Sequence, residues 1–123
     1  MSNPKSDLAI PSSTNLTFGE ALQALKTGGK VCRAGWNGKN MFIFMRPADT
    51  LTTEQVSKIK SLPQSVKDWI DKNIDDKQNR GETGLTPVKF TAYLCMKAAD
   101  NTIVNGWLAS QTDMLADDWQ ILL

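Results

Sequence analysis

Apolar positions along the chain change their period from one segment to the next. Phe18, Ala21, Leu22 and Leu25 recur at i, i+3, i+4 and i+7, which is one face of a helix. Thr17 and Glu20 stand at capping-box spacing ahead of them, and Gly28-Gly29 supplies the stop. Val31-Cys32-Arg33 and Met41-Phe42-Ile43-Phe44-Met45 are short strand-like runs flanking a glycine-punctuated turn over 34–40, so they read as a hairpin. Further on, Thr53 is positioned to cap a helix running to about Leu62, with Val56, Ile59 and Leu62 as its stripe. After Pro63, Ser65 is positioned to cap a second helix in which Val66, Trp69, Ile70 and Ile74 share a face. Asp75 to Thr86 is charged and rich in Asn and Gly, the composition of a mobile loop.

The last third returns to a period of two. Between Lys89 and Lys97, Phe90, Ala92, Leu94 and Met96 alternate with Thr91, Tyr93 and Cys95, as in one continuous strand. Asp100-Asn101 marks a turn, and 102–108 reads as the return strand. Ser110 and Asp113 repeat the capping-box spacing, which predicts a short helix to about Ala116, and 119–122 has the character of a final strand. The expectation is an α+β domain: a small antiparallel sheet with an N-terminal helix, a helical insertion at about 50–84 and a short C-terminal helix. The polar segment 1–15 reads as a flexible lead-in to a single domain over 16–123.

Composition narrows the chemistry. The 123 residues suffice for one core, and a net charge of +1 gives no global field for nucleic acid or anionic membrane. No apolar run approaches the ~20 residues that span a bilayer, and 1–13 lacks the apolar middle of a signal peptide. A cytosolic protein is the expectation, with Cys32 and Cys95 as reduced, buried thiols. The chain contains no histidine, the commonest acid–base side chain and metal ligand. Two cysteines alone do not form a structural zinc site. We therefore expect no catalytic residues, no metal and no cofactor.

Two polar segments bearing aromatics remain as candidates for binding. Arg33 offers a planar fork, Gly35 permits close backbone approach, Trp36 offers a stacking face, and Asn37 offers both donor and acceptor. A hairpin turn with Trp36 folded onto the sheet explains the same residues without a ligand. Ser110, Gln111 and Asp113 cluster at a helix start, where free N–H groups favour an anion; plain capping by Ser110 is the structural alternative. Gly28-Gly29-Lys30 fits a helix C-cap better than a phosphate loop. Asp117 and Asp118 are adjacent and diverge on a helix, a poor arrangement for a two-carboxylate hydrolase.

The run Leu16 to Leu22, then Val31-Cys32-Arg33-Ala34-Gly35-Trp36-Asn37-Gly38 and Met41-Phe42, resembles the N-terminal block of the second Thoeris anti-defence group of phage proteins. Met96 to Asp100, followed by Trp107 to Trp119, resembles that family's C-terminal block. The resemblance implies a non-catalytic sponge that binds the cyclic ADP-ribose isomer made by a bacterial TIR-domain enzyme, with some relatives also taking cyclic di- or trinucleotides. It further implies a homotetramer acting in the host bacterial cytoplasm, with no nucleic-acid polymer or membrane as partner. By motif match, Arg33, Gly35, Trp36, Asn37, Ser110, Gln111 and Asp113 would bind the ligand. A hydrolase of the same signal and a structural phage protein are the alternatives. The segment 47–86 and the Asn105-Gly106 pair depart from the expected family pattern. Trp69 and Trp119 have the look of exposed aromatics suited to self-association.

Overall fold

The computed structural model describes residues 11–36, 40–75 and 83–123. It divides into two compact units, the first from residues up to Arg46 and from Tyr93 onward, the second from Pro47 to Ala92. The fold class is α+β, as the sequence patterns predict.

Unit 1 contains β1 (Pro11–Leu16), α1 (Phe18–Lys26), β2 (Lys30–Arg33), a 3-10 turn (Ala34–Trp36), and β3 (Phe42–Arg46). After unit 2 it resumes with β6 (Tyr93–Lys97), β7 (Ile103–Asn105), α4 (Gln111–Leu115), and β8 (Trp119–Leu122). Its six strands lie in the order β1-β8-β2-β3-β6-β7, every neighbouring pair antiparallel. The last strand is thus inserted beside β2, which places Arg33 opposite Trp119.

The capping box on α1 is present in both directions, Thr17 Oγ1 accepting from Glu20 N–H and Glu20 accepting from Thr17 N–H. Beyond its C-terminus Gly28 takes φ +90° and Gly29 N–H donates to Ala24 O at 2.8 Å. A Cβ on Gly29 would stand 2.9 Å from that oxygen, so the Gly-Gly pair is a helix stop. Ala21 and Leu25 of α1 pack with Val31, Ile43 and Trp119, all at most 1% exposed. Alternation carries Cys32 and Cys95 away from that helix, buried and free. Each thiol donates to its cross-strand neighbour, Cys32 Sγ to Gln120 at 3.6 Å and Cys95 Sγ to Asn105 at 3.5 Å.

Unit 2 contains β4 (Asp49–Thr52), α2 (Thr53–Ser57), α3 (Gln64–Asn73), and β5 (Pro87–Phe90), with β4 and β5 forming a two-stranded antiparallel sheet. Val56 and Ile70 are its buried apolar residues, joined by buried Thr53 and Asp75. Asp75 accepts from Thr53 Oγ1 at 2.8 Å, Thr86 Oγ1 at 3.2 Å, and the Gly84 N–H at 3.0–3.1 Å. Gly84 needs its positive φ of +81°, and a Cβ there would meet Glu54 Cβ at 3.0 Å.

Several sequence expectations are corrected. The lead-in read as flexible over 1–15 ends in β1, which pairs with β8 from Pro11. The strand expected over 89–97 is two strands: β5 pairs with β4 in unit 2, and β6 pairs with β3 in unit 1. The second helix pair differs at its ends. Thr52, not Thr53, is the N-cap of α2, closing a capping box with Gln55, and α2 stops at Ser57. Pro63 precedes α3 without a side-chain cap, and Ser65 lies inside the helix. On α3 only Ile70 is buried, while Val66 and Trp69 are exposed. The return strand is confined to Ile103–Asn105. The mobile-loop reading of 75–86 falls largely on 76–82, outside the described residues; Asp75, at its start, is buried.

Candidate functional site

β2 ends at Arg33, and the chain turns at once through Ala34–Trp36. Because β8 lies antiparallel beside β2, the residue preceding β8, Asp118, arrives next to that turn. Asp118 O accepts from Ala34 N–H at 3.0 Å, and its carboxylate accepts from Gly35 N–H at 3.3 Å. Arg33 then divides its fork between two carboxylates. Nε donates to Asp118 at 2.9 Å and Nη1 to Asp113 at 3.0 Å.

Asp113 has a second duty. It is the N3 residue of α4 and completes a capping box with Ser110: its carboxylate accepts from Ser110 N–H at 3.0 Å, and its own N–H donates to Ser110 Oγ at 3.0 Å. The Asp113 carbonyl accepts from Trp119 Nε1 at 2.8 Å. One residue therefore ties the start of α4 to β2 through Arg33 and to the core through Trp119.

Above this frame stand three indoles. Trp119 is fully buried, with Phe18 against it at 5.3 Å between ring centroids. Trp36 meets Trp119 edge-on at 5.6 Å and 77°, and Trp107 meets it at 6.4 Å and 79°. Trp36 and Trp107 are edge-on to each other at 6.4 Å and 72°. Edge-to-face geometry is the favoured arrangement for aromatic quadrupoles. Trp36 and Trp107 are only half-buried, so part of each indole faces outward.

The charges reinforce one another. The Asp118 and Asp113 hydrogen bonds, outweighing burial, raise the Arg33 pKa further above its ordinary value. The Arg33 hydrogen bond holds the Asp118 carboxyl below the usual carboxylate range. For Asp113 burial pushes upward, but bonds from Ser110 N–H, Arg33 and the Ser110 hydroxyl together prevail and lower it. Burial, then the nearby Asp118 charge, pushes the Cys32 thiol up, away from the reactive thiolate.

The residues singled out from sequence converge well. Arg33, Gly35, Trp36, Ser110 and Asp113 meet at this one place, and Gln111 follows Ser110 as an exposed residue of the first turn of α4. Asn37 lies outside the described residues. Trp36 does fold onto the sheet's Trp119, and Ser110 does cap, so both structural alternatives are realised. Trp119 is a core residue and not the exposed aromatic expected. Sequence reasoning missed Trp107 and Asp118 as members of the cluster. Asp118 is legible only once β8 is known to lie against β2.

Two shallow depressions among the described residues lie elsewhere: one of about 500 Å³ beside the Gly28-Gly29 stop, the other of about 280 Å³ between Thr53, Asp71 and Gly84. Neither gathers the charged and aromatic groups found at Trp36. Among the described residues no cluster of three or more His, Cys, Asp or Glu is placed to hold a metal, and no helix is long and apolar enough to cross a membrane.

Comparison with known proteins adds an independent finding. The sequence profile of the Thoeris anti-defense 2-like domain matches residues 16–122. A protein of Bacillus phage SP01 called Thoeris anti-defense 2 is 39% identical over 109 residues, covering 89% of this chain and 97% of the relative.

Proposed function

The chain belongs to the Thoeris anti-defense 2-like family and is an anti-defence protein; from that premise we propose that it acts as a sponge for a cyclic nucleotide signal. The ligand is a cyclic ADP-ribose isomer made by a TIR-domain enzyme, held without being cleaved, and cyclic di- or trinucleotides are candidates for the same use. The observation that carries this reading is the pair of half-exposed indoles, Trp36 and Trp107, fixed over buried Trp119. A base stacked on such a face gains ~1–3 kcal/mol. Gly35 and Gln111 are exposed beside them, while Arg33, Ser110 and Asp113 build the frame.

Sequestration suits the side chains better than hydrolysis. A general acid at neutral pH needs a raised carboxyl pKa, whereas Asp113 and Asp118 are both lowered and tied to Arg33. The chain has no histidine to take their place. We further infer assembly as a homotetramer in the host cytoplasm, which would cover the exposed Leu108, Met114 and Leu115 around α4.

The test is direct. Protein is incubated with the product of an activated TIR enzyme, freed of unbound ligand, heated, and the released small molecules are identified by mass spectrometry. Intact cyclic ADP-ribose isomer at a fixed ratio to protein is the expected result. A linear product released over many turnovers would make the protein an enzyme, and no released nucleotide would remove this reading. Light scattering checks the assembly; a monomer at micromolar concentration would exclude the tetramer.

A further inference from the structure

Arg33 is the residue that sequence alone offers as the ligand's phosphate contact, because a guanidinium fork fits a phosphate. In the fold two of its five N–H donors are already committed to carboxylates. Nε and Nη1 are bonded to Asp118 and Asp113 at 2.9 and 3.0 Å, and the side chains involved are 18%, 34% and 15% exposed. One guanidinium against two carboxylates leaves this trio net negative. An arriving phosphate would meet that surplus of negative charge, with only the Nη N–H groups that the two carboxylates leave over to receive it.

We propose that Arg33 is a positioning residue for Trp36 and not a phosphate contact, and that the Trp36 surface receives the uncharged base or ribose of its ligand. This rests on the reading of Trp36 as the ligand's stacking face. The chain of contacts is short. Arg33 holds Asp118; the other Asp118 oxygen holds Gly35 N–H; Gly35 sits in the same turn as Trp36. On its other arm Arg33 holds Asp113, whose carbonyl fixes Trp119, the indole on which Trp36 rests edge-on. Both arms of the guanidinium therefore converge on one ring. The remaining acceptor capacity of two carboxylates suits donors such as ribose hydroxyls.

The two roles for Arg33 predict opposite signs. Asp118→Asn keeps an acceptor for Gly35 N–H but removes a charge and loosens the fork. If Arg33 positions Trp36, Asp118→Asn weakens binding of the cyclic ADP-ribose isomer about fivefold; if Arg33 binds phosphate, freeing it tightens binding. Arg33→Lys preserves charge but cannot span both carboxylates, so on this proposal it fails to rescue and loses about tenfold, like Arg33→Ala. Lysine retaining wild-type affinity, or Asp118→Asn binding more tightly, overturns the proposal. A ligand-free arm keeps the test separate from the sponge reading. Near-ultraviolet circular dichroism of the edge-on indoles should fall in Asp118→Asn and Arg33→Lys while the far-ultraviolet spectrum is unchanged. Unaltered near-ultraviolet spectra in both folded variants overturn the positioning role, even if wild-type protein binds no nucleotide. Should Arg33→Ala fail to fold, the two conservative variants carry the decision.

Discussion

In unit 1 the largest fully buried side chain is Trp119, whereas the buried set of unit 2 couples Val56 and Ile70 to a threonine and an aspartate. Unit 1 joins its distant segments by strand pairing, with β8 completing the sheet between β1 and β2, and buries side chains of α1, β2 and β3 around the Trp119 indole of β8. Unit 2 has a two-stranded sheet, which is marginal by itself, and ties Thr53, Gly84 and Thr86 together through the hydrogen bonds that converge on Asp75. Non-directional burial tolerates approximate geometry; a buried carboxylate demands that each donor arrive in place. The two regions should therefore respond differently to the same kind of damage.

The largest effect is expected from Trp119→Ala. Truncating a buried aromatic costs about 3–5 kcal/mol, and here it also removes the shorter of the two bonds to the Asp113 carbonyl, leaving the 3.4 Å one from Ala116 N–H, and takes away the support of Trp36. Chemical denaturation should show unit 1 unfolded or nearly so. A loss below about 1 kcal/mol would mean that the indole is not the centre of the core.

Next comes Asp75→Ala, which takes away the acceptor of the Thr53 hydroxyl and of the Gly84 N–H. A buried group left unsatisfied costs about 1–3 kcal/mol. Hydrogen exchange should rise at the amides of Thr53, Glu54 and Gly84, and stay unchanged along β2, β3 and β8. Equal acceleration in both units would dissolve the distinction between them and establish a single cooperative fold.

Legibility in the sequence follows the same divide. In unit 1 the signals are local and physically sufficient: Thr17 with Glu20 and Ser110 with Asp113 are complete capping boxes in the fold, and the strands around 31–33 and 41–45 form the expected hairpin. In unit 2 local and tertiary demands compete. Thr52 and Thr53 are equally good caps by residue type, but Thr53 Oγ1 is taken by Asp75, leaving Thr52 to close the box with Gln55. The alternation from Lys89 to Lys97 runs without a break across the boundary between units, so period alone cannot reveal that the strand changes partner there. At the candidate site, residue types with special chemistry were readable from sequence. Their mutual bonds were not, because Arg33 meets Asp118 only through the register of β2 with β8.

Acid should separate the two units by a smaller amount. Asp113 and Asp118 have lowered folded-state pKa values. Their contribution is therefore full above the unfolded value of about 3.9 and is lost as pH falls below it through the folded values. Arg33 stays charged throughout, its pKa being raised. The near-ultraviolet signal of the indoles should hold from pH 8 to about 5 and fall only below about 4. A transition near pH 6 would assign control of Trp36 to a group other than these carboxylates.

The smallest effect on unit 1 is expected from removing unit 2 altogether. Its connections leave from Arg46 and return at Tyr93, which are cross-strand partners at the matched ends of β3 and β6. Antiparallel ends in register can be joined by a turn of about two to four residues carrying Asn-Gly, and the shorter connection also lowers the entropy of closing β3 onto β6. Replacing 47–92 by such a turn should leave unit 1 within about 1 kcal/mol of its stability in the full chain, with the near-ultraviolet signature of Trp36, Trp107 and Trp119 intact. If the sponge reading is right, the shortened protein retains the cyclic ADP-ribose isomer. A folded product that has lost the ligand but kept the indole signature would assign part of the binding surface to unit 2. A product that does not fold would show that burial around Trp119 is insufficient without its neighbour.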